Sequence, residues 1–271
     1  MIVFPNCKIN LGLYILQKRT DGFHDLETIF CPVGLLDALE IIQNPAPQLN
    51  EVEFTTSGLK IDTEENICVK AYQLLKKDFP ELACIKMHLH KVIPLGAGLG
   101  GGSSDGASAL LLLNKKFNLG LSERQLIGYA LNLGSDCPFF IKNKPCYATG
   151  RGEVLEEINL DLINYKIVLV NPKIHINTAF AFSKIKPDNT RASLKQIIQQ
   201  PVSEWKNILK NDFEETVFNK YPEIKTIKHQ LYQQGAVYCS MSGSGSTVYG
   251  LFEKSSQPQL SFPKEYLIKA T

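Results

Sequence analysis

The chain has 271 residues and 30.3 kDa, 44% hydrophobic and 21% charged, with 19 Gly and 14 Pro. That mixture suits two domains of about 150 residues each and excludes a collagen, a coiled coil or a wholly disordered chain. Residues 1–150 carry 14 Lys+Arg against 15 Asp+Glu and residues 151–271 carry 15 against 12, so neither half has the basic surplus that a nucleic-acid partner requires.

Ile2 to Leu16 predicts a strand, with Ile9, Leu11 and Leu13 alternating against Lys8, Asn10 and Gly12. Met1 to Lys8 has no charged segment followed by an apolar run, so a secretion signal is not expected. Lys18-Arg19-Thr20-Asp21-Gly22 reads as a turn, with His24 on the loop beyond it, and short strands follow near Ala38–Ile42 and Glu51–Thr55. The spacing of Ile67, Ala71, Leu74 and Leu75 predicts a helix over 66–79, stopped by Pro80. Cys84 to Val92 alternates again, Ile85, Met87 and Leu89 against Lys86, His88 and His90. A glycine-rich loop over 94–104 then feeds an Ala/Leu helix to about Phe117, and a second helix runs from Ser122, a suitable N-cap, to about Leu133. The longest apolar run, Ala109 to Leu113, is far short of a membrane span.

Strands are predicted at 144–149, 153–158 and 165–171, and a shift in composition at 159–165 divides the chain into domains of residues 1–158 and 159–271. The second holds helices at 193–200, 203–218 and 222–234, then strands at 236–241 and 247–252 around a Ser/Gly turn. Helices and strands interleave in both parts, which predicts two α+β domains. Cys7, Cys31, Cys68, Cys84, Cys137, Cys146 and Cys239 are odd in number, scattered and without a CxxC pair, the pattern of free thiols in a reducing compartment.

The most informative segment is Pro94-Leu95-Gly96-Ala97-Gly98-Leu99-Gly100-Gly101-Gly102-Ser103-Ser104. Its glycines let backbone N–H groups approach a ligand, and the helix start behind them favours an anion, as a polyphosphate requires. A tight turn without a ligand is the plainer reading. Gly96-x-Gly98-x-x-Gly101 fits the dinucleotide fingerprint, but the next element is another helix rather than the required strand. A Walker A loop needs Lys after its last glycine, where this chain has Ser103.

The loop resembles the second motif of the GHMP kinase superfamily, and Pro5-Asn6-Cys7-Lys8-Ile9-Asn10-Leu11-Gly12-Leu13 and Met241-Ser242-Gly243-Ser244-Gly245-Ser246-Thr247-Val248 resemble its first and third. Arg19-Thr20-Asp21-Gly22-Phe23-His24, Gly134-Ser135-Asp136-Cys137-Pro138-Phe139-Phe140 and Gly150-Arg151-Gly152-Glu153 point to a branch whose alcohol substrate carries a cytidine diphosphate. The resemblance covers nearly the whole chain and is weakest over 185–222. It implies an N-terminal ribosomal-protein-S5-like α/β domain, a C-terminal ferredoxin-like α+β domain and an active site in the cleft between them. It further implies a cytoplasmic ATP:alcohol phosphotransferase using Mg²⁺, a monomer or homodimer with neither membrane nor nucleic acid as partner.

Carried onto this sequence, the resemblance makes Asp136 the acceptor of the substrate hydroxyl proton; a helix N-cap or turn acid is the bland alternative. A carboxylate is a weak base toward an alcohol, so orienting the nucleophile is its expected main task. Lys8 becomes the residue that stabilises charge on the transferring phosphoryl, against a snorkelling surface lysine. Asn10 would hydrogen-bond the substrate. His24 would meet the cytosine edge and Phe23, commonly Tyr in the family, its face. Thr178 and Phe182 match a second substrate segment, although Phe180 and Phe182 read equally as core. Pro94 to Ser104 would hold the nucleotide phosphates, with Ser103 or Ser104 on Mg²⁺ or merely capping the helix. Asn66 and Lys91 match positions near the nucleotide base, with surface polar residues as the alternative. His88 and His90 lack the further ligands a metal site needs. Other kinases of the superfamily, acting on mevalonate, homoserine or a sugar, are the rival reading, followed by a non-catalytic nucleotide sensor.

Overall fold

The computed structural model describes residues 1–45, 51–63 and 65–271. Its strands are β1 (Ile2–Val3), β2 (Asn6–Lys18), β3 (His24–Leu36), β4 (Ala38–Gln43), β5 (Val52–Gly58), β6 (Ile85–Lys91), β7 (Cys146–Thr149), β8 (Val154–Glu157), β9 (Tyr165–Asn171), β10 (Tyr238–Met241), β11 (Val248–Glu253) and β12 (Leu267–Ala270). They form three sheets, ordered β1-β4-β6-β5, β2-β3-β7-β8 and β10-β11-β9-β12. The chain builds two compact units from separated segments. One takes Met1–Cys7, Gly34–Leu95 and Gly100–Asn143; the other takes Lys8–Val33, Gly96–Leu99 and Lys144–Thr271.

In the first unit β5 runs parallel to β6 and β4 antiparallel to it. The alternation foreseen for β6 is real: Ile85, Met87 and Leu89 are buried. Helix α1 (Ile67–Asp78) begins at Asn66, whose side chain accepts from the Cys68 amide. Helix α2 (Gly101–Lys116) packs closely on α1, because a Cβ on Gly106 would lie 2.8 Å from Ile67. Helix α3 (Glu123–Leu133) starts with a capping box between Ser122 and Gln125, and α4 (Cys137–Lys142) follows one turn later.

The second unit adds α5 (Thr178–Phe182), α6 (Leu194–Ile197), α7 (Trp205–Ile208), α8 (Phe213–Lys220) and α9 (Pro222–Gln233). Val168, Val170, Val248 and Phe252 of the sheet bury against Ile224, Ile227 and Leu231 of α9, and Leu13 and Ile15 of β2 join the same core. β2 is tied there by backbone bonds of 2.9 Å from the Leu13 amide to the Lys210 carbonyl and from the Asp212 amide to the Leu13 carbonyl. No helix of the described residues is long and apolar enough to cross a membrane.

Several elements depart from the sequence expectation. His24 is not on a loop but opens the 13-residue strand β3. That strand hides its period because Glu27 to Cys31 are buried without interruption, two of them polar. The helix expected over 203–218 is broken into a 3₁₀ turn at Val202–Glu204, then α7 and α8. At the break Leu209 is extended, and Asn211 gives its side-chain amide to the carbonyls of Met241 and Gly243 at 2.7 and 2.8 Å. These tertiary bonds outweigh a helical continuation. The short α4, α5 and β12 were not foreseen; elements of four to six residues carry too little periodicity.

Candidate active site

In the second unit the alternation of β2 that points Ile9, Leu11 and Leu13 one way puts Lys8 and Asn10 on its other face, yet both are buried, at 4% and 2% exposure. A lysine is buried this way only when its charge is held. Lys8 Nζ donates to Asn10 Oδ1 at 2.6 Å and lies 4.8 Å from the centre of the Phe30 ring. Asn10 in turn donates through Nδ2 to Thr28 Oγ1 at 2.9 Å, and the Thr28 hydroxyl donates to the Gly12 carbonyl. Asn10 therefore has one orientation, its oxygen toward the lysine.

The middle of the glycine loop is fastened to the same strand. The Lys8 amide donates to the Leu99 carbonyl at 2.9 Å, and the Thr247 amide to the Ala97 carbonyl at 3.1 Å. The Ser242 hydroxyl accepts from the Asn10 amide at 3.2 Å and donates to the Gly98 carbonyl at 2.7 Å. Gly98 has φ of +76° and its α-carbon sits so close to Ser242 that a Cβ would lie 1.9 Å from that residue's carbonyl oxygen. Within this unit the three glycine-containing motifs of the sequence thus converge.

In the first unit the loop ends in α2. Its N-cap, Gly100, has φ of +68° and no side chain to cap the helix. The Ser104 amide bonds the Gly100 carbonyl at 2.9 Å, while Gly101, Gly102 and Ser103 are first-turn residues whose N–H groups precede the helical ladder. With no acid in that first turn, the helix end attracts an anion. Ser104 is buried, which leaves Ser103 as the serine able to reach a solvent-borne group.

Asn66 caps α1, so its oxygen is used and its side-chain NH₂ remains as a donor. Lys91 is not a surface residue. It is 1% exposed, its ammonium bonded to Asp37 and, at 2.7 Å, to Asp105. Burial pushes the Lys91 pKa down, but the two carboxylates outweigh it and the balance is upward. Burial also holds the Asp105 carboxyl well above the usual carboxylate range.

Asp136 precedes α4, whose residues Cys137 to Ile141 are buried and anchor the turn. It stands in a turn at the N-cap position of α4, and its side chain makes no cap hydrogen bond. The neighbouring Cys137 thiol is pushed up to about 12 by burial and is no nucleophile.

The aromatic residues expected to meet a base lie in the second unit. Phe23 is 54% exposed, with the Arg151 guanidinium 4.9 Å from its ring centre. His24 stacks on Phe182 at 4.7 Å with 21° between the planes, and Phe182 meets Phe213 edge-on. Burial, then Lys18, lower the His24 pKa. Phe180 faces elsewhere, toward Tyr221 and Lys220. The Thr178 hydroxyl lies 3.4 Å from that of Ser244.

Among the described residues no three His, Cys, Asp or Glu side chains group to hold a metal ion. His88 and His90 bond the hydroxyls of Thr55 and Ser57. Sequence reasoning missed Thr28, Asp37 and Asp105. Asp37, a lone acid between apolar stretches with no turn partner, was the available signal.

The GHMP kinases N terminal domain profile matches residues 66–144 and the GHMP kinases C terminal profile residues 193–261. A 4-diphosphocytidyl-2-C-methyl-D-erythritol kinase of Azobacteroides pseudotrichonymphae genomovar. CFP2 is 53% identical over 261 residues, 95% of this chain and 96% of its own length. One of the same name from Bacteroides fragilis is 54% identical over 255 residues, 93% and 92% of the two chains. A solved 4-(cytidine 5'-diphospho)-2C-methyl-D-erythritol kinase superposes with a TM-score of 0.81 at 29% identity, over 93% of this chain and 90% of that one. A mevalonate kinase superposes with a TM-score of 0.70 at 13% identity, covering 94% and 92%, a likeness of fold alone.

Proposed function

This chain belongs to the GHMP kinases, in the 4-diphosphocytidyl-2-C-methyl-D-erythritol kinase family, and on that premise we propose how its residues move the γ-phosphoryl of ATP to the 2-hydroxyl of 4-diphosphocytidyl-2-C-methyl-D-erythritol. The products are the 2-phosphate and ADP, a step of isoprenoid biosynthesis by the non-mevalonate route. Its fold is the two-domain α+β fold of that superfamily.

The observation that carries the residue assignments is the fastening of the 96–99 backbone by Lys8, Ser242 and Thr247, ahead of a helix start free of side-chain caps. A seat already ordered binds a polyphosphate without the cost of arranging five glycines. Pro94 to Ser104 form that seat. Lys8, oriented by Asn10, stabilises charge on the phosphoryl as it leaves ADP. Asp136 orients the hydroxyl and takes its proton as the new O–P bond forms and the bond to the ADP oxygen breaks. Phe23, His24, Thr178 and Phe182 hold the cytidine end, and Asn66 offers its NH₂ to the nucleotide base.

The Ser103 hydroxyl suits Mg²⁺, which takes oxygen ligands and keeps most of its waters when it arrives with a nucleotide; buried Ser104 does not. Mg²⁺ bound there would neutralise polyphosphate charge. The segments 1–158 and 159–271 remain our division of the sequence, supported by the profile matches at 66–144 and 193–261, while residues 8–33, with Phe23 and His24, fold with the second unit. We also assign the enzyme to the cytoplasm, as a monomer or homodimer without a nucleic-acid partner.

A coupled ADP-release assay tests the reading. ADP should appear with ATP and the cytidine-bearing alcohol, and not with mevalonate, homoserine or galactose. Release with a plain alcohol alone would transfer the chain to another branch. No release with any would leave a nucleotide sensor.

A further inference from the structure

The buried face of β6 ends on a charge. Lys91 follows Ile85, Met87 and Leu89 on that face, where an aliphatic residue would complete the core. Instead its ammonium lies between Asp37, which joins β3 to β4, and Asp105, one turn into α2, and both carboxylates are buried as fully as the lysine. One Asp105 oxygen has no hydrogen-bond partner among the described residues. Burying a lysine with two carboxyl groups is expensive, and apolar residues of similar volume commonly serve stability as well or better. An orphaned oxygen inside such a cluster asks for a reason other than stability.

Its position relative to the glycine loop supplies one. Asp37 Oδ1 also accepts from the amides of Val92 and Ile93, at 2.5 and 2.8 Å, immediately before Pro94. On the far side, Gly101 is packed so tightly that a Cβ would lie 2.7 Å from Ile93 and 3.0 Å from Lys91 Nζ. Asp105 then holds α2 to the same ammonium. One cluster grips the chain where it enters the loop and where it leaves.

We propose that Asp37, Lys91 and Asp105 are positioning residues for ATP, setting the separation of the two ends of the phosphate loop so that the first-turn amides of α2 are in place before the nucleotide arrives. The proposal rests on the reading of 94–104 as the polyphosphate seat and assigns Lys91 a task other than contact with the base. Loop glycines have wide conformational freedom, and fixing both ends removes much of it in advance. A displacement of about 1 Å at such a site costs up to ~10²-fold.

Asp105→Leu cuts the tie to the loop's exit and leaves Lys91 and Asp37 as a charge-balanced pair, which favours retention of the fold. Asp105→Ala cuts it with a smaller side chain, so a packing fault peculiar to leucine does not decide the outcome. Asp105→Asn keeps an oxygen facing the ammonium. Each is assayed in the full-length enzyme by ADP release, varying ATP and the cytidine substrate separately, with thermal unfolding in parallel. The expected result is a KM for ATP raised ~10- to 100-fold in the Leu and Ala variants, with KM for the alcohol and kcat at saturating ATP within ~3-fold. Asp105→Asn should recover most of the ATP affinity. A folded Leu or Ala variant with the parental KM for ATP overturns the inference while parental activity leaves the loop reading standing. So does an equal rise in both KM values with a fallen kcat, the sign of general loosening. Absence of ATP-dependent ADP release from the parent enzyme would overturn the loop reading and the inference with it.

Discussion

Lys8 and Asn10, two positions apart on one strand, share a single short hydrogen bond, 2.6 Å from Nζ to Oδ1, and the far side of the amide is fixed by Thr28. Residues joined in this way act as a unit, and their removal is non-additive. Lys8→Met should lower kcat at least ~10²-fold, as loss of a group aimed at developing charge does. Asn10→Ala should lower it by a smaller factor, and the double variant should be little worse than Lys8→Met alone. A multiplicative double-variant effect in ADP-release kinetics would separate the two residues.

Asp136→Ala should reduce turnover at least ~10²-fold while affinity for a non-hydrolysable ATP analogue stays within ~3-fold, the usual scale for a positioned acid or base. Isothermal titration alongside steady-state kinetics checks both halves. Near-parental turnover would remove Asp136 from the proton's path.

Gly98→Ala places a methyl 1.9 Å from the Ser242 carbonyl oxygen at a φ of +76°, which fails on both counts. Backbone must yield, and the 96–99 fastening with it. We expect ATP-analogue affinity to fall by ~10²-fold or more. A binding isotherm unchanged from the parent would contradict the role of this loop.

Two roles at Asn66 can be pulled apart. Asn66→Asp keeps the oxygen that caps α1 and loses the NH₂ donor, whereas Asn66→Ala loses both. Asn66→Ala should cost about 1 kcal/mol of stability, whereas Asn66→Asp should leave the melting temperature near that of the parent. Both should raise KM for ATP several-fold. A KM that stays at the parental value in both variants would reduce Asn66 to a cap.

His24 is driven toward its neutral form by burial and by Lys18, so its folded pKa lies below its ordinary value. The folded state then holds fewer protons than the unfolded chain, and the neutral ring's contribution is present above the ordinary pKa, about 6.5, and fades as pH falls through the lowered value. We expect KM for the cytidine substrate to rise as pH falls through the lowered His24 value, with KM for ATP flat. His24→Gln should abolish that rise. Parallel profiles in the two enzymes would assign the titration to another group.

How much of this was legible in the sequence follows from distance along the chain. Ser122 and Pro222 announce helix starts because a cap or a first-turn proline needs only residues within one turn, and both helices begin there. The glycine loop was legible for the same reason. Strand β3 was not, since burial on both faces removes the alternation that identifies a strand, and Thr28 stayed hidden with it. Asp105 resembles an unremarkable acid, and Asp37 shows only as a lone acid between apolar stretches, until Lys91, 14 and 54 positions away, is placed between them. The break at 209–211 is equally invisible locally, because what stops the helix is a pair of carbonyls in the Ser/Gly turn.

Leu13 and Ile15 complete a core whose other members come from beyond residue 167, and the amide and carbonyl of Leu13 meet residues 210 and 212. Exchange of substrate preference by gene recombination is constrained accordingly. A crossover near residue 158 would graft a foreign carboxy-terminal half onto an unmatched opening hairpin, leaving apolar seams and orphaned amides. Viable hybrids should be those in which residues 8–33 travel with the graft, so that inheritance in this molecule follows the sheets rather than the reading frame.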